Sequence, residues 1–134
     1  MFSGLKSQNG FATLEVILMI TVLGILSAIA IPRFTAVTTS ANTAKVQSDL
    51  STLDTAIAVY QMEKGDNPSD IKDLEDYIQD ADKLKPPTGK VYINGNEEDM
   101  PATVYSISTD DGNCRAKIGS YTAGSITKVK QSQS

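Results

Sequence analysis

The residue whose chemistry most needs explaining is Glu15. Its carboxylate stands four positions after Phe11, and the sixteen residues that follow, Val16 to Ile31, carry no charge. A carboxylate at the centre of a bilayer costs about 2.5–3.5 kcal/mol on insertion scales, so this one calls for a cation. The residues one helical turn away are Phe11, Ala12, Leu18 and Met19, and none is basic. A cut after Gly10 would create the missing cation, because Phe11 would then carry a free α-amine able to neutralise a carboxylate on a neighbouring helix. Classical catalytic chemistry is absent. With no histidine and a single cysteine, Cys114, the chain has no Ser-His-Asp or Cys-His mechanism, no His-ligated metal, no intrachain disulfide and no cysteine zinc cluster. Nothing brings a nucleophile, a base and an oxyanion donor together, so the chain is expected not to be an enzyme.

Two acidic segments, Glu97-Glu98-Asp99 and the turn Asp110-Asp111-Gly112-Asn113, could supply oxygen ligands to calcium. The D-x-D-x-D-G spacing of a calcium loop is missing, however, and Asp-Gly and Asn residues form tight turns for conformational reasons alone. No metal site is therefore expected, and calcium is the one cofactor kept in view. Cys114 reads as a small buried hydrophobe rather than a reactive thiol. Twelve basic residues against sixteen acidic ones give a net charge of -4, and the basic residues do not cluster with aromatics, so direct nucleic-acid binding is not expected.

These residues need elements to position them. From Phe11 to Ile31, twenty-one residues contain one charge, Glu15. At about 1.5 Å per residue, such a helix covers roughly 30 Å, one hydrocarbon thickness. A secretory signal is one reading, with Lys6 as the basic flank and Ala28-Ile29-Ala30 as a small-x-small site. Against it, Glu15 enters where the apolar region should begin, and Pro32 would lie almost at the new terminus. A plain single-pass anchor is another reading, and Lys6 and Arg33 on opposite flanks leave its orientation open. Beyond Arg33 the apolar spacing becomes periodic. Val46, Leu50, Leu53, Ile57 and Tyr60 form one helical face, opposite Gln47, Asp49, Ser51, Asp54 and Thr55. One long helix from about Phe11 to Glu63 is expected, bent but not broken near Ile29 to Arg33 by Pro32. It should end at Lys64-Gly65, before Pro68.

Ser69 or Asp70 could cap a short second helix carrying Ile71, Leu74 and Ile78, ended by Pro86-Pro87. The remainder reads as short strands over Lys90–Ile93, Ala102–Ser108, Cys114–Ile118 and Ile126–Lys130, with turns at Asn94-Gly95 and Asp110 to Asn113. In the third strand Cys114, Ala116 and Ile118 alternate with Arg115 and Lys117, so one face can pack on the long helix. The expected fold class is α+β, and residues 131–134 read as a frayed tail.

A short polar leader with Lys6, the junction Gly10-Phe11, Glu15, then Gly24 and Pro32 inside an apolar helix with a long amphipathic continuation, resembles the class III signal of type IV pilins and pseudopilins. The strong match covers Lys6 to Phe34. A weaker likeness continues through Tyr60-Gln61-Met62-Glu63-Lys64-Gly65-Asp66-Asn67-Pro68, Leu74 and Pro87-Thr88-Gly89-Lys90-Val91-Tyr92, which is similar to the layout of major pseudopilins and competence-type pilins.

The resemblance implies a pilin-like fold, a long kinked N-terminal helix packed on a small antiparallel sheet. Residues 1–10 would be a leader removed by prepilin peptidase between Gly10 and Phe11, with N-methylation of Phe11. Residues 11–33 would be the transmembrane and assembly half of the helix, and 34–134 the globular domain. Glu15 would compensate the Phe11 amine of an adjacent subunit and set register, while Gly24 and Pro32 would bracket a locally unwound stretch, fitting their poor helix propensity. The implied partners are further copies of the chain, minor pilins, the peptidase, an inner-membrane assembly platform and membrane lipid. The implied location is a bacterial inner membrane, with the globular part outside, and then a pilus or pseudopilus. Two departures stand out. Ala12 occupies a position where threonine is common, and the disulfide of many pilins is impossible with Cys114 alone, so packing or, as in some major pseudopilins, calcium must hold the sheet. The alternative reading is a monomeric, membrane-tethered extracytoplasmic binding or sensing domain.

Overall fold

The computed structural model describes residues 3–110 and 112–131, including the side chains of all of these but 3–9 and 82. The Lys6 side chain, the turn residue Asp111, the first two leader residues and residues 132–134 of the expected tail lie outside the described residues. Helix α1 runs Ser3–Lys64 without interruption. It begins earlier than the expected Phe11 because the segment before that residue contains no proline, so nothing stops helical propagation toward the N-terminus. Pro32 does not break it. The helix ends where the sequence indicates: Gly65 adopts φ +71, and its N–H donates to the Gln61 carbonyl at 2.9 Å.

The chain divides into two units, Met1–Val37 and Thr38–Ser134. In the second, the periodic stripe of α1 does what its spacing requires. Val46, Leu50, Leu53 and Ile57 are buried, each withdrawal of a large apolar side chain from water contributing about 1.5–3 kcal/mol. They meet Leu74, Val91, Ile93, Tyr105, Ala116, Ile118 and Ile126 in one core. Tyr60 closes the stripe half-buried, its ring edge-on to Tyr77 with centroids 5.8 Å apart.

The strands are β1 (Lys90–Ile93), β2 (Asn96–Asp99), β3 (Tyr105–Asp110) and β4 (Asn113–Ile118). They form two separate antiparallel ladders, β1 with β2 and β3 with β4. The layout is thus α+β and pilin-like, one long N-terminal helix with a small antiparallel sheet region. Alternation in β4 is as read: Ala116 and Ile118 are fully buried, and Cys114 is half-buried beside them. The strands differ in detail from the sequence reading, the one expected over Ala102–Ser108 lying at Tyr105–Asp110. Residues Asn96–Asp99 form a strand although they are all exposed and mostly charged, because Asn94 (φ +49) and Gly95 (φ +86) make the two-residue turn that pairs Ile93 with Asn96. Residues Ile126–Lys130 form no strand. Ile126 is buried, and the segment lies across the β1–β2 turn, receiving the Asn94 N–H on the Ser125 carbonyl at 2.8 Å and the Gly95 N–H on the Thr127 carbonyl at 2.9 Å. A Cβ on Gly95 would stand 2.7 Å from Lys130 Cγ, so this approach requires glycine.

The expected second helix is reduced to two 3-10 turns, Ile71–Leu74 and Ala81–Lys83. Asp70 caps the first, and Asp73 completes a capping box by accepting the N–H groups of Ser69 at 2.9 Å and Asp70 at 3.1 Å. Those bonds hold the Asp73 carboxyl below its usual range. At Asp80 the backbone turns left-handed, φ +59, which stops any continuation.

Polar side chains of α1 complete the attachment. Asn42 Nδ2 donates to the carbonyls of Thr88 (3.1 Å) and Lys90 (2.9 Å), and the Tyr92 N–H donates to Thr43 Oγ1 at 2.9 Å. The Ala116 N–H donates to Asp54 Oδ1 at 2.8 Å, and the Tyr105 hydroxyl donates to Asp49 Oδ2 at 2.8 Å. Asp49 and Asp54 are therefore not on the wet face where apolar periodicity alone puts them. Asp49 is buried and Asp54 half-buried, each satisfied by the sheet side.

Candidate assembly helix

All the residues singled out for processing and assembly lie on α1 within the first unit. From Gly10 to Thr38 every residue is exposed, Phe11 at 74%. A helix that is apolar all round and unburied needs a solvent other than water. By length and composition α1 contains a segment able to cross a membrane, and none of that segment is buried. Its few hydroxyls are compatible with lipid because they return to the helix: Thr21 Oγ1 donates to the Ile17 carbonyl and Ser27 Oγ to the Leu23 carbonyl, both at 2.8 Å. Thr35 Oγ1 does the same to Ile31 at 3.2 Å.

Glu15 is exposed and, among the described residues, belongs to none of the ion pairs, which join Lys45 to Asp49, Lys83 to Asp80, Lys90 to Glu97 and Lys117 to Asp110. Gly10 and Phe11 are consecutive helical residues five and four positions before it. Gly24 has open space where a Cβ would project, and its backbone is helical, so nothing inside this chain demands glycine there. Pro32 lacks the N–H that would meet the Ala28 carbonyl, which leaves α1 a weak point at the end of its apolar run. Gly10, Phe11, Glu15, Gly24 and Pro32 thus share one helix but make no common pocket.

The acidic segments proposed for calcium are not brought into one cluster. Among the described residues no group of three or more aspartate, glutamate, cysteine or histidine side chains could hold a metal ion. Glu97, Glu98 and Asp99 lie along exposed β2, with Glu97 3.6 Å from Lys90 Nζ. Asp110 is engaged by Lys117 Nζ at 2.6 Å, and that bond, with one from Ser108, holds its carboxyl below the usual range. Burial first, and then the charge of Asp54, pushes the Cys114 thiol up, away from thiolate chemistry. What sequence reasoning missed were the polar anchors Asn42, Thr43, Asp49 and Asp54. The available signal was that Thr39, Asn42 and Thr43 continue the stripe of Val46 and Leu50 two turns further toward the N-terminus.

No protein-family model matches the chain, and no solved structure matches it. Three curated relatives do, each named type II secretion system core protein G. The protein from Klebsiella michiganensis is 29% identical over 87 residues, 65% of this chain and 60% of the relative. That from Escherichia coli K12 is 26% identical over 95 residues, 71% and 65% of the two chains. That from Klebsiella pneumoniae is 30% identical over 71 residues, 53% and 51%. The chain therefore spans between about half and just under two thirds of the length of the relatives it matches. An apolar N-terminal helix bearing Gly10-Phe11 and Glu15, a pilin-like α+β layout and these relatives all support one family for the chain, the pseudopilins.

Proposed function

We propose that this chain is a structural subunit of a type II secretion-class pseudopilus, inserted in a bacterial inner membrane with its globular part outside. In this reading prepilin peptidase cuts between Gly10 and Phe11, Phe11 is N-methylated, and residues 11–33 pack against further copies and minor subunits while an assembly platform draws the chain from lipid. Glu15 meets the Phe11 amine of an adjacent copy, which fixes register more than it adds affinity. Gly24 and Pro32 let the helix loosen between them as it leaves the bilayer. The observation that carries the proposal is a wholly unburied apolar segment of α1, residues 10–38, whose first charged residue, Glu15, lies four positions after Phe11 of the Gly-Phe junction and has no cation within helical reach. The names of the relatives add the secretion class. Calcium stays outside the proposal.

The test is the mature N-terminus, read by intact mass and N-terminal peptides of the protein taken from its own membrane. A start at methylated Phe11 is expected. A start at Met1 or Ile31 would overturn the reading in favour of a tethered binding domain or an ordinary secreted protein.

A further inference from the structure

From Val16 to Ala44 the chain carries one charge, Arg33. It is exposed on α1 and, among the described residues, takes part in no ion pair. It follows Ile31 and Pro32 at the end of the apolar run, yet apolar side chains continue beyond it, Phe34 at 72% and Val37 at 66% exposed. Hydrophobicity alone therefore does not fix how deep the helix sits in a bilayer. A shift of one turn toward the cytoplasm would bring Phe34 into the hydrocarbon and Val37 to its edge, and would carry Glu15 out toward the inner surface, a gain at both ends. Arg33 is the residue that loses in that shift, because its guanidinium would have to enter the hydrocarbon.

We infer that Arg33 anchors the subunit to phospholipid phosphate at the outer surface of the bilayer, and that this anchor keeps Glu15 inside the hydrocarbon, where a neighbouring amine can meet it. This rests on the membrane-inserted stage of the proposed function, when α1 is continuous as described; the loosening between Gly24 and Pro32 comes later, as the helix leaves the bilayer. With Phe11 at the inner edge of the hydrocarbon, Arg33 stands twenty-two residues on, about 33 Å along the axis, against a hydrocarbon thickness of about 30 Å. Glu15, by the same measure, lies about 6 Å inside. Helical side chains lean toward the N-terminus, here toward the bilayer, so the guanidinium reaches back to the level of the phosphates while its methylene stem stays among apolar groups. A guanidinium fits a phosphate with two parallel hydrogen bonds. The occupant is lipid because the run that ends beside Arg33 is apolar and wholly unburied, so the bilayer that covers it brings its phosphates to that level.

The full chain carrying Cys114→Ser and a spin label on Ile29→Cys is reconstituted at high dilution in phosphatidylglycerol liposomes. The depth of the label is read from its accessibility to oxygen and to a water-soluble nickel chelate. Arg33→Leu is expected to sink the label by about 5 Å, one helical turn, and Arg33→Lys to leave it in place. In the same liposomes the chain with Arg115→Lys retains a single guanidinium, that of Arg33, and its carbon signal is expected to show strong dipolar dephasing by lipid phosphorus in solid-state NMR. A label at its native depth in Arg33→Leu would overturn the anchor and leave the membrane-inserted subunit standing. A label that sinks while the guanidinium carbon shows no dephasing by phosphorus would mean that water alone holds the charge, which overturns the phosphate contact. A label fully open to the nickel chelate in every variant would mean that the helix does not enter the bilayer, and the proposed function would fall together with this inference.

Discussion

Replacing Tyr105 with phenylalanine deletes one hydroxyl and keeps the ring that fills the core. That hydroxyl donates to Asp49 Oδ2 at 2.8 Å, and the two residues are 5% and 9% exposed. Asp49 keeps Lys45 Nζ at 2.6 Å on the same oxygen, so the charge is not stranded and the loss is one hydrogen bond to a charged acceptor. Such bonds contribute about 1.5–3 kcal/mol. For a domain of this size that is about 4–8 °C of Tm per kcal/mol. The assay is denaturant unfolding of the detergent-solubilised full chain, followed by tyrosine emission, which no tryptophan obscures. The same contact has a pH signature. Burial first, and then the hydrogen bond to Asp49, raises the Tyr105 hydroxyl far above its ordinary value near 10. Below that value both folded and unfolded chains hold the proton and the contribution is complete. As pH climbs past it, the unfolded chain sheds the proton and the folded one does not, so stability falls. Tyr105→Phe should flatten that alkaline decline. A change under about 0.3 kcal/mol, well below the range for a bond to a charged acceptor, together with an unaltered alkaline limb, would refute the claim that this contact holds β3 to α1.

Leu53→Ala, at a fully buried position in the centre of the stripe, is expected to cost about 2–5 kcal/mol in the same unfolding assay. Gly95→Ala should cost at least about 1–2 kcal/mol, since its φ is +86 and the new Cβ meets Lys130; limited proteolysis should then release the C-terminal segment first. Gly24→Ala should leave the stability of the monomer unchanged or raise it by up to about 1 kcal/mol, yet lower filament yield, because the open space around it makes loosening of the helix its remaining use. Normal filaments from that variant, counted by electron microscopy, would refute the role given to Gly24. Calcium and chelator are expected to give the same melting midpoint, given that Asp110 already pairs with Lys117.

Legibility in the sequence followed the strength of the local signal. The periodic stripe from Val46 to Ile57 predicted the core because spacing alone decides which side of a helix is dry. The stop at Gly65 was equally readable, since a left-handed residue after a basic last turn has few other uses. β2 was not readable from its residues: Asn-Glu-Glu-Asp has poor strand propensity, and only the Asn94-Gly95 turn makes it pair. The error at Ile126–Lys130 has the opposite cause. Its apolar residues look like a strand, but the backbone donors that reach it come from a turn, not from a strand edge. Asp49 and Asp54 were misplaced because a polarity pattern counts a carboxylate as wet, whereas a carboxylate with a tyrosine hydroxyl or a strand N–H in front of it is at home in a core. For the assembly helix the structure adds little to the sequence: among the described residues Glu15 belongs to none of the ion pairs, and no atom lies within 4 Å of a Cβ built on Gly10 or Gly24.

That contrast separates the two units physically. A two-stranded ladder alone is marginal in water, and this fold contains two of them with no disulfide. Each is held by α1: β1 through Asn42 and Thr43, β3 through Asp49, and β4 through Asp54. Among the described residues no buried polar side-chain atom lacks a partner, so the second unit meets its hydrogen-bonding needs from its own chain. The first unit is the reverse. Its apolar surface is uncovered, and neither Glu15 nor Arg33 has an ion-pair partner among the described residues. Folding therefore completes one unit and leaves the other to be completed from outside, first by lipid and then, in the proposed filament, by copies of itself. Mutations of the anchors Asn42, Thr43, Asp49 and Asp54 should consequently appear as losses of stability, and mutations of Glu15 as losses of assembly in a chain that still folds.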